Sequence, residues 1–208
     1  MAKLGPTALR TKNAIMASAL KLFDARSFDS VTIEDITNDA GVAKGTFYTY
    51  FATKSDIVVD SFWAIDAYYE SYASKNLQRY KTAGEKLVAF TRAQMKYVRD
   101  VVGNPSLKIL YANQAVQPGS SKMITNRERR WHAIVRDIIL GGQASGELRT
   151  DLDADRLAVL VNRSSRGVFL DWCVQDAAFD LVKEGVAVMQ DFVMVALQNQ
   201  ARKNGSPE

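Results

Sequence analysis

Residues 32–56 read TIEDITNDAGVAKGTFYTYFATKSD, and three features inside that stretch fix where helices begin and end. Thr32 followed by Asp35 is a capping-box arrangement, in which side chain and backbone satisfy each other's free N–H groups. Gly41 stands where a C-terminal glycine ends a helix of about two turns. Thr53 and Asp56 repeat the capping pattern and start another helix. A second short helix, beginning near Ala43 or Lys44, must lie between Gly41 and Thr53. Two short helices joined by a tight Gly-Val-Ala turn make a helix-turn-helix, whose first helix braces the second in the major groove of DNA.

That second helix is poor helix sequence. Gly45, Thr46 and Thr49 are weak helix formers, crowded by Phe47, Tyr48, Tyr50 and Phe51. An exposed face that touches DNA explains the choice. Gly45 allows close approach to the duplex, and Lys44, Thr46 and Thr49 carry groups that reach base edges, with a threonine methyl suited to the thymine methyl. The hydroxyls of Tyr48 and Tyr50 suit phosphate oxygens. Thr32 and Lys54 sit at helix N-termini, where free N–H groups favour phosphate. Phe47 and Phe51, spaced i and i+4, turn inward with Val42 and Ile36. The bland alternative is a plain three-helix bundle with Tyr and Thr on its surface, but a core-only segment has no need of Gly45 between hydroxyls.

Elsewhere the chain also reads as helix. Only four prolines occur in 208 residues, and apolar residues recur at helical spacing with no period-two alternation long enough for a sheet. A first helix runs from Thr7 to Arg26, with Leu9, Ile15, Ala19 and Leu22 or Phe23 inward. Further helices are expected over 54–80, 82–103, 105–117, 121–145, 153–175 and 179–200, about nine in all, and the fold class is all-α. The closing ARKNGSPE, residues 201–208, reads as a disordered tail.

Composition sets limits. At 47% hydrophobic and 24% charged the chain is ordinary for a soluble globular protein, and apolar runs such as Leu157–Val161 fall far short of a membrane span. No membrane partner is expected. No apolar stretch follows the N-terminal MAKLGPTALRTKN, so a signal peptide is not expected and the cytoplasm fits best. One cysteine, Cys173, excludes an internal disulfide and a cysteine metal cluster. The net charge of +4 permits a polyanion partner without demanding one. Residues 1–55 hold seven Lys/Arg against five Asp/Glu, so DNA binding must rest on where particular residues sit. His132 is the one histidine, with no Ser or Cys arrangement around it to suggest nucleophile and base, and GGQASG (141–146) lacks the strand and lysine of a phosphate loop. No catalytic residue, metal site or cofactor is expected.

TIEDITNDAGVAKGTFYTYFATKSDI, with the preceding ALKLFDARSFDSV, resembles the N-terminal signature of the TetR family of transcriptional repressors. The matching pattern is Thr-Ile, Ala-Gly-Val, Gly-Thr-aromatic-Tyr, an aromatic pair, and Lys before an acid, covering about residues 10–58. GELRTDLDADRLA (146–158) is similar to a looser family feature. The pattern usually has Ser or Thr where this chain has Ala43, and alanine cannot cap the reading helix.

The resemblance implies a head at residues 1–54 and a ligand-binding and dimerisation domain at 55–200. It implies a homodimer on a near-palindromic double-stranded DNA operator, with Lys44, Gly45, Thr46 and Thr49 facing bases and Thr32, Tyr48, Tyr50 and Lys54 on phosphates. The function expected is repression relieved by a small organic ligand; the alternative is a DNA-binding regulator of the same fold that lacks an inducer and acts through a protein partner. For the dimer interface the last two long helices are candidates, with Leu160, Ser164, Gly167, Val168, Met189, Phe192 and Val193. For a ligand pocket the candidates are Trp63, Tyr68, Tyr111, Trp131, Phe169 and Trp172, joined by Arg163 and Arg166. Those two arginines either pair with Asp171 or another carboxylate, the simpler reading, or grip an anionic inducer. NRERRW (126–131) reads as a solvated charge run.

Overall fold

In the computed structural model of the chain, residues 5–116 and 122–198 are described; the tail expected at 201–208 lies outside them. Helix α1 (Pro6–Ala25) opens on a proline, whose missing N–H is no loss in a first turn. Helix α2 (Ile33–Ala40) starts on the expected capping box: Asp35 N–H donates to Thr32 Oγ1 at 3.1 Å and Thr32 N–H donates to Asp35 Oδ2 at 2.9 Å. Gly41 closes α2 at φ 66°, ψ 35°, a left-handed conformation that glycine adopts without strain. Helix α3 (Lys44–Tyr50) follows, and α4 (Lys54–Ser61) starts on Thr53, whose N–H and hydroxyl both donate to Asp56 Oδ2, at 2.7 and 3.0 Å.

One small core unites these four helices. Ile15 and Ala19 of α1, Val31, Ile36 of α2, Phe47 and Phe51 of the α3 segment, and Ile57 of α4 are buried together. Leu9, expected inward, is 48% exposed because α1's buried residues begin only at Ile15. The next residue of α4, Val58, belongs to a second, larger core. The boundary expected after residue 54 therefore falls at the start of a helix that both cores share.

The larger core fills a helical body. A 3-10 turn at Phe62–Ala64 joins α4 to α5 (Ile65–Asn76). Helix α6 (Ala83–Tyr97) runs into a π turn at Val98–Val102, and α7 (Gly103–Val116), α8 (Arg130–Ala144) and α9 (Ala154–Val174) follow. Helix α10 (Leu181–Ala187) passes through a second π turn, Val188–Val193, into α11 (Met194–Leu197). Among the described residues there is no strand, only one antiparallel bridge between Leu148 and Gln198. The fold is all-α, and no described helix is long and apolar enough to cross a membrane.

Helix α8 buries Trp131, Ile134, Val135, Ile138, Ile139 and Gly142, an i, i+3, i+4, i+7 stripe, and lies against α5, α6 and α9. It starts at Arg130, well after the 121 expected, because Met123–Thr125 form a 3-10 turn and Asn126 Oδ1 accepts from Glu128 N–H at 2.8 Å. That local bond competes with helix formation. Glu147, in the loop after α8, accepts from Ala83 N–H and Gly84 N–H at 2.7 Å each, satisfying two free donors at the start of α6. Met189 and Val193, expected at a subunit interface, are 2% and 5% exposed and belong to the core of the single chain, so they are not free for a partner.

Candidate functional site

Helix α3 shows its two faces clearly. Phe47 is fully buried and Phe51 nearly so, with ring centroids 5.8 Å apart, and burying such a side chain stabilises by about 1.5–3 kcal/mol. On the outer face Tyr48 is 52% exposed, with its ring edge-on to Phe47 at 5.5 Å. Gly45 has open space where a Cβ would stand. Thr49 is exposed and its hydroxyl donates back to Gly45 O at 3.2 Å; Thr46 is half-buried. Tyr50 is half-buried and leans on the small core. Ala43 offers no side-chain cap, so α3 begins on backbone bonding alone, Thr46 N–H to Ala43 O at 2.9 Å.

Both lysines of the region are already engaged. Lys44 forms an exposed ion pair with Glu34 of α2; the hydrogen bond between them holds Glu34 below the ordinary 4.5 and Lys44 above 10.5. Such a surface pair exchanges readily for another anion. Lys54 is a different case and corrects the sequence expectation. Its ammonium donates to the backbone carbonyls of Phe28 at 2.5 Å, Val31 at 2.9 Å and Asp29 at 3.3 Å, and lies 4.4 Å from the Phe28 ring centroid. All three ammonium hydrogens have acceptors within the chain, so the side chain ties the α1–α2 connection to α4 and has no donor left for phosphate. Thr32 remains exposed, its hydroxyl oxygen accepting from the Asp35 N–H while its side chain also bonds the Asp35 carboxylate.

In the body, two cavities of about 140 and 60 Å³ adjoin among α5, α7, α8 and α9, and share Ile124, Arg129, Trp131, Asn162 and Arg166. Tyr111 and Phe169 line the smaller one, and Arg163 stands at the larger. The other pocket candidates lie elsewhere. Trp63 is 37% exposed under the Arg129 guanidinium, Tyr68 stacks on Tyr97 at 4.3 Å along an outer groove, and Trp172 is buried in the core. Wider depressions of about 770 and 550 Å³ occur beside α1 and beside α5, but neither contains an unpartnered buried polar atom.

Charges around the shared cavities differ from what the sequence suggested. Arg129, from the supposed solvated run, is 13% exposed and grips Asp66 with two bonds, 3.1 and 2.8 Å. Arg127 and the buried His132 both hold Asp155, at 3.2 and 2.8 Å, and the His132 bond keeps Asp155 below the usual carboxylate range. The expected Asp171 partner for the α9 arginines instead accepts from Gln175 at 2.9 Å. Among the described residues no carboxylate pairs with Arg163 or Arg166. Arg166 Nε and Trp131 Nε1 are buried donors without acceptors. Burial pushes the Tyr111 hydroxyl well above its ordinary value; it stays protonated and donates to Arg166 O at 3.3 Å. Arg129 and Asn162 carried no periodic or motif signal, since their role depends on which helices meet.

Residues 15–60 match the family described as bacterial regulatory proteins, tetR family. The chain is 21% identical over 202 residues to the probable acrEF/envCD operon repressor of Escherichia coli strain K12, across 93% of this chain and 90% of that protein. Its fold is similar to that of Thermus thermophilus FadR in complex with lauroyl-CoA, with a TM-score of 0.72, 19% identity, and coverage of 88% of this chain and 93% of that one. It is also similar to RolR in complex with resorcinol, with a TM-score of 0.67, 18% identity, and coverage of 95% and 92%.

Proposed function

Because the chain belongs to the TetR family of transcriptional regulators, we propose that it is a homodimeric, sequence-specific repressor that a small ligand releases from a near-palindromic operator. The observation that carries DNA binding is the outer face of α3, braced from behind by Phe47 and left open over Gly45. Lys44, Gly45, Thr46 and Thr49 face base edges, with Lys44 leaving Glu34 as it does so. Tyr48, Thr32 and Tyr50 meet the phosphate backbone, while Lys54 holds the head together.

Dimerisation rests on an apolar face. Leu170 and Val174 of α9 are 48% and 71% exposed, and Phe192 and Val195, on the last helical segment beside it, are 68% and 48%. Gly167, on the same side of α9, has nothing within 4 Å of a Cβ position, and an exposed helix-interior glycine costs about 1 kcal/mol relative to alanine unless another helix comes close. Two such helices from each subunit make a four-helix interface, with Leu160, Ser164 and Val168 at its half-buried margin. A ligand in the shared cavity favours a head separation that no longer fits grooves about 34–36 Å apart. Neighbours of this fold captured with lauroyl-CoA and with resorcinol support a ligand-responsive body. The reading places the protein in the cytoplasm and assigns it no catalysis.

Selection of bound sequences from random duplex DNA tests the proposal. Two related half-sites about one helical turn, or a multiple, apart are expected; failure to enrich any sequence would overturn it. In gel shifts on the selected site, Thr46→Ala changes sequence preference, whereas Tyr48→Phe weakens binding to all sequences alike.

A further inference from the structure

The two adjoining cavities carry an imbalance that the chain does not resolve by itself. Four arginines line the larger one (Arg127, Arg129, Arg163 and Arg166) and no carboxylate does. The nearby acids are already committed, Asp66 to Arg129 and Asp155 to Arg127 and His132. Arg166 is left with no ion pair and a buried Nε lacking an acceptor, and Trp131, 4% exposed, presents a second orphan donor at Nε1. Both residues line both cavities. A half-buried guanidinium whose Nε is enclosed without an acceptor is unfavourable without an anion. Beside this cationic end, the smaller cavity is lined mainly by apolar side chains such as Phe62, Ile65, Leu107 and Phe169.

Resting on the ligand-responsive reading above, we infer that the inducing ligand is a small carboxylate of about one ring in size, its head on Arg166 and Trp131 Nε1 and its apolar body toward Phe169. The guanidinium fork matches a carboxylate with two parallel bonds, and the indole N–H supplies a further donor to the same anion. Size follows from volume: a cavity of about 150 Å³ holds one benzene, and the pair measures about 140 and 60 Å³. That is far too little for the whole of a coenzyme A thioester. Tyr111, kept protonated by burial, tethers α7 to α9 at the Arg166 carbonyl and so couples an occupied cavity to the helices around it.

Calorimetry on the full-length protein with benzoate, phenylacetate, the neutral isostere benzamide, and lauroyl-CoA is the test, with each compound also added to an operator gel shift. Benzoate or phenylacetate is expected to bind and release operator, with benzamide at least tenfold weaker, since losing a charge-assisted hydrogen bond costs a factor of about ten or more. Arg166→Gln is expected to lose the acid by a similar factor; Arg166→Lys retains part of it, since charge remains without the fork. Equal binding of benzamide and benzoate by the unaltered protein, no binding of either acid, or binding of lauroyl-CoA alone would each overturn the assignment. The benzamide comparison needs no variant and stands even if Arg166→Gln does not fold. Operator binding without any ligand reports separately on the repressor reading, so failure of one is not mistaken for failure of the other.

Discussion

Lys54 has three ammonium hydrogens, and the backbone carbonyls of Phe28, Asp29 and Val31 take all of them. Removing the side chain strips two part-buried carbonyls of a charged donor, so Lys54→Met is expected to destabilise the head by about 1.5–3 kcal/mol. The salt dependence of operator binding should keep its slope, because no phosphate contact is lost. Urea melts and a gel-shift salt titration measure the two effects; a flattened slope in a protein of unchanged stability would reverse the assignment. Lys44 behaves oppositely. Its partner Glu34 is exposed and also repels the duplex, so Glu34→Gln should tighten operator binding several-fold with little change in stability. Fluorescence anisotropy at fixed salt checks this, and weaker binding would show that the Glu34 pair orients Lys44 productively.

Helix α3 is seven residues long, with weak formers inside it and no side-chain cap. It persists because Phe47 and Phe51 anchor it, which is the usual way that tertiary packing overrides propensity. Ala43 already has the extended backbone of a cap, φ −71° and ψ 149°, so Ala43→Ser should stabilise by about 0.5–2 kcal/mol through a new bond to a free N–H of the first turn. Thermal unfolding measures it, and a lowered midpoint would show that the site cannot accept the hydroxyl. Helix α6 solves the same end problem over a distance, with the Glu147 carboxylate on two of its first N–H groups.

For the whole molecule, the proposed function requires two copies. Phe192 is 68% exposed in the single chain, so Phe192→Glu should leave the fold intact, yield monomers in sedimentation, and lower operator affinity at least tenfold by removing the paired heads. A dimeric variant with full affinity would move the interface elsewhere. The pH response is also a property of the whole, because carboxylates at several joints are held below their ordinary values. Asp35 is held by the Thr32 backbone N–H, Glu85 by that of Thr82, Asp180 by those of Lys183 and Val182, and Asp155 by His132. A depressed folded-state value stabilises above the ordinary 3.8 for Asp or 4.5 for Glu and is lost as pH falls through the folded one. Stability should therefore be level above about pH 5 and decline below about pH 4. A urea midpoint at pH 3 equal to that at pH 7 would contradict this.

What the sequence determined by itself is local. Capping boxes at Thr32 and Thr53, the left-handed Gly41 and the inward spacing of Phe47 and Phe51 are bonds and contacts between residues close in the chain, so their signals lie in adjacent letters. Helical periodicity likewise settled the all-α class. Tertiary structure alone decided what lies opposite each side chain. Lys54 looked like a phosphate ligand until carbonyls 23 to 26 residues away surrounded it, and Arg129 looked solvated until Asp66, 63 residues away, met it. The sequence left Arg166 open between a salt bridge and a ligand; only the assembled helices, with every nearby acid committed elsewhere, leave its buried Nε without an acceptor. Charges and hydroxyls carry no periodic signature of their partners, because those interactions depend on which helices pack together rather than on how any one of them forms.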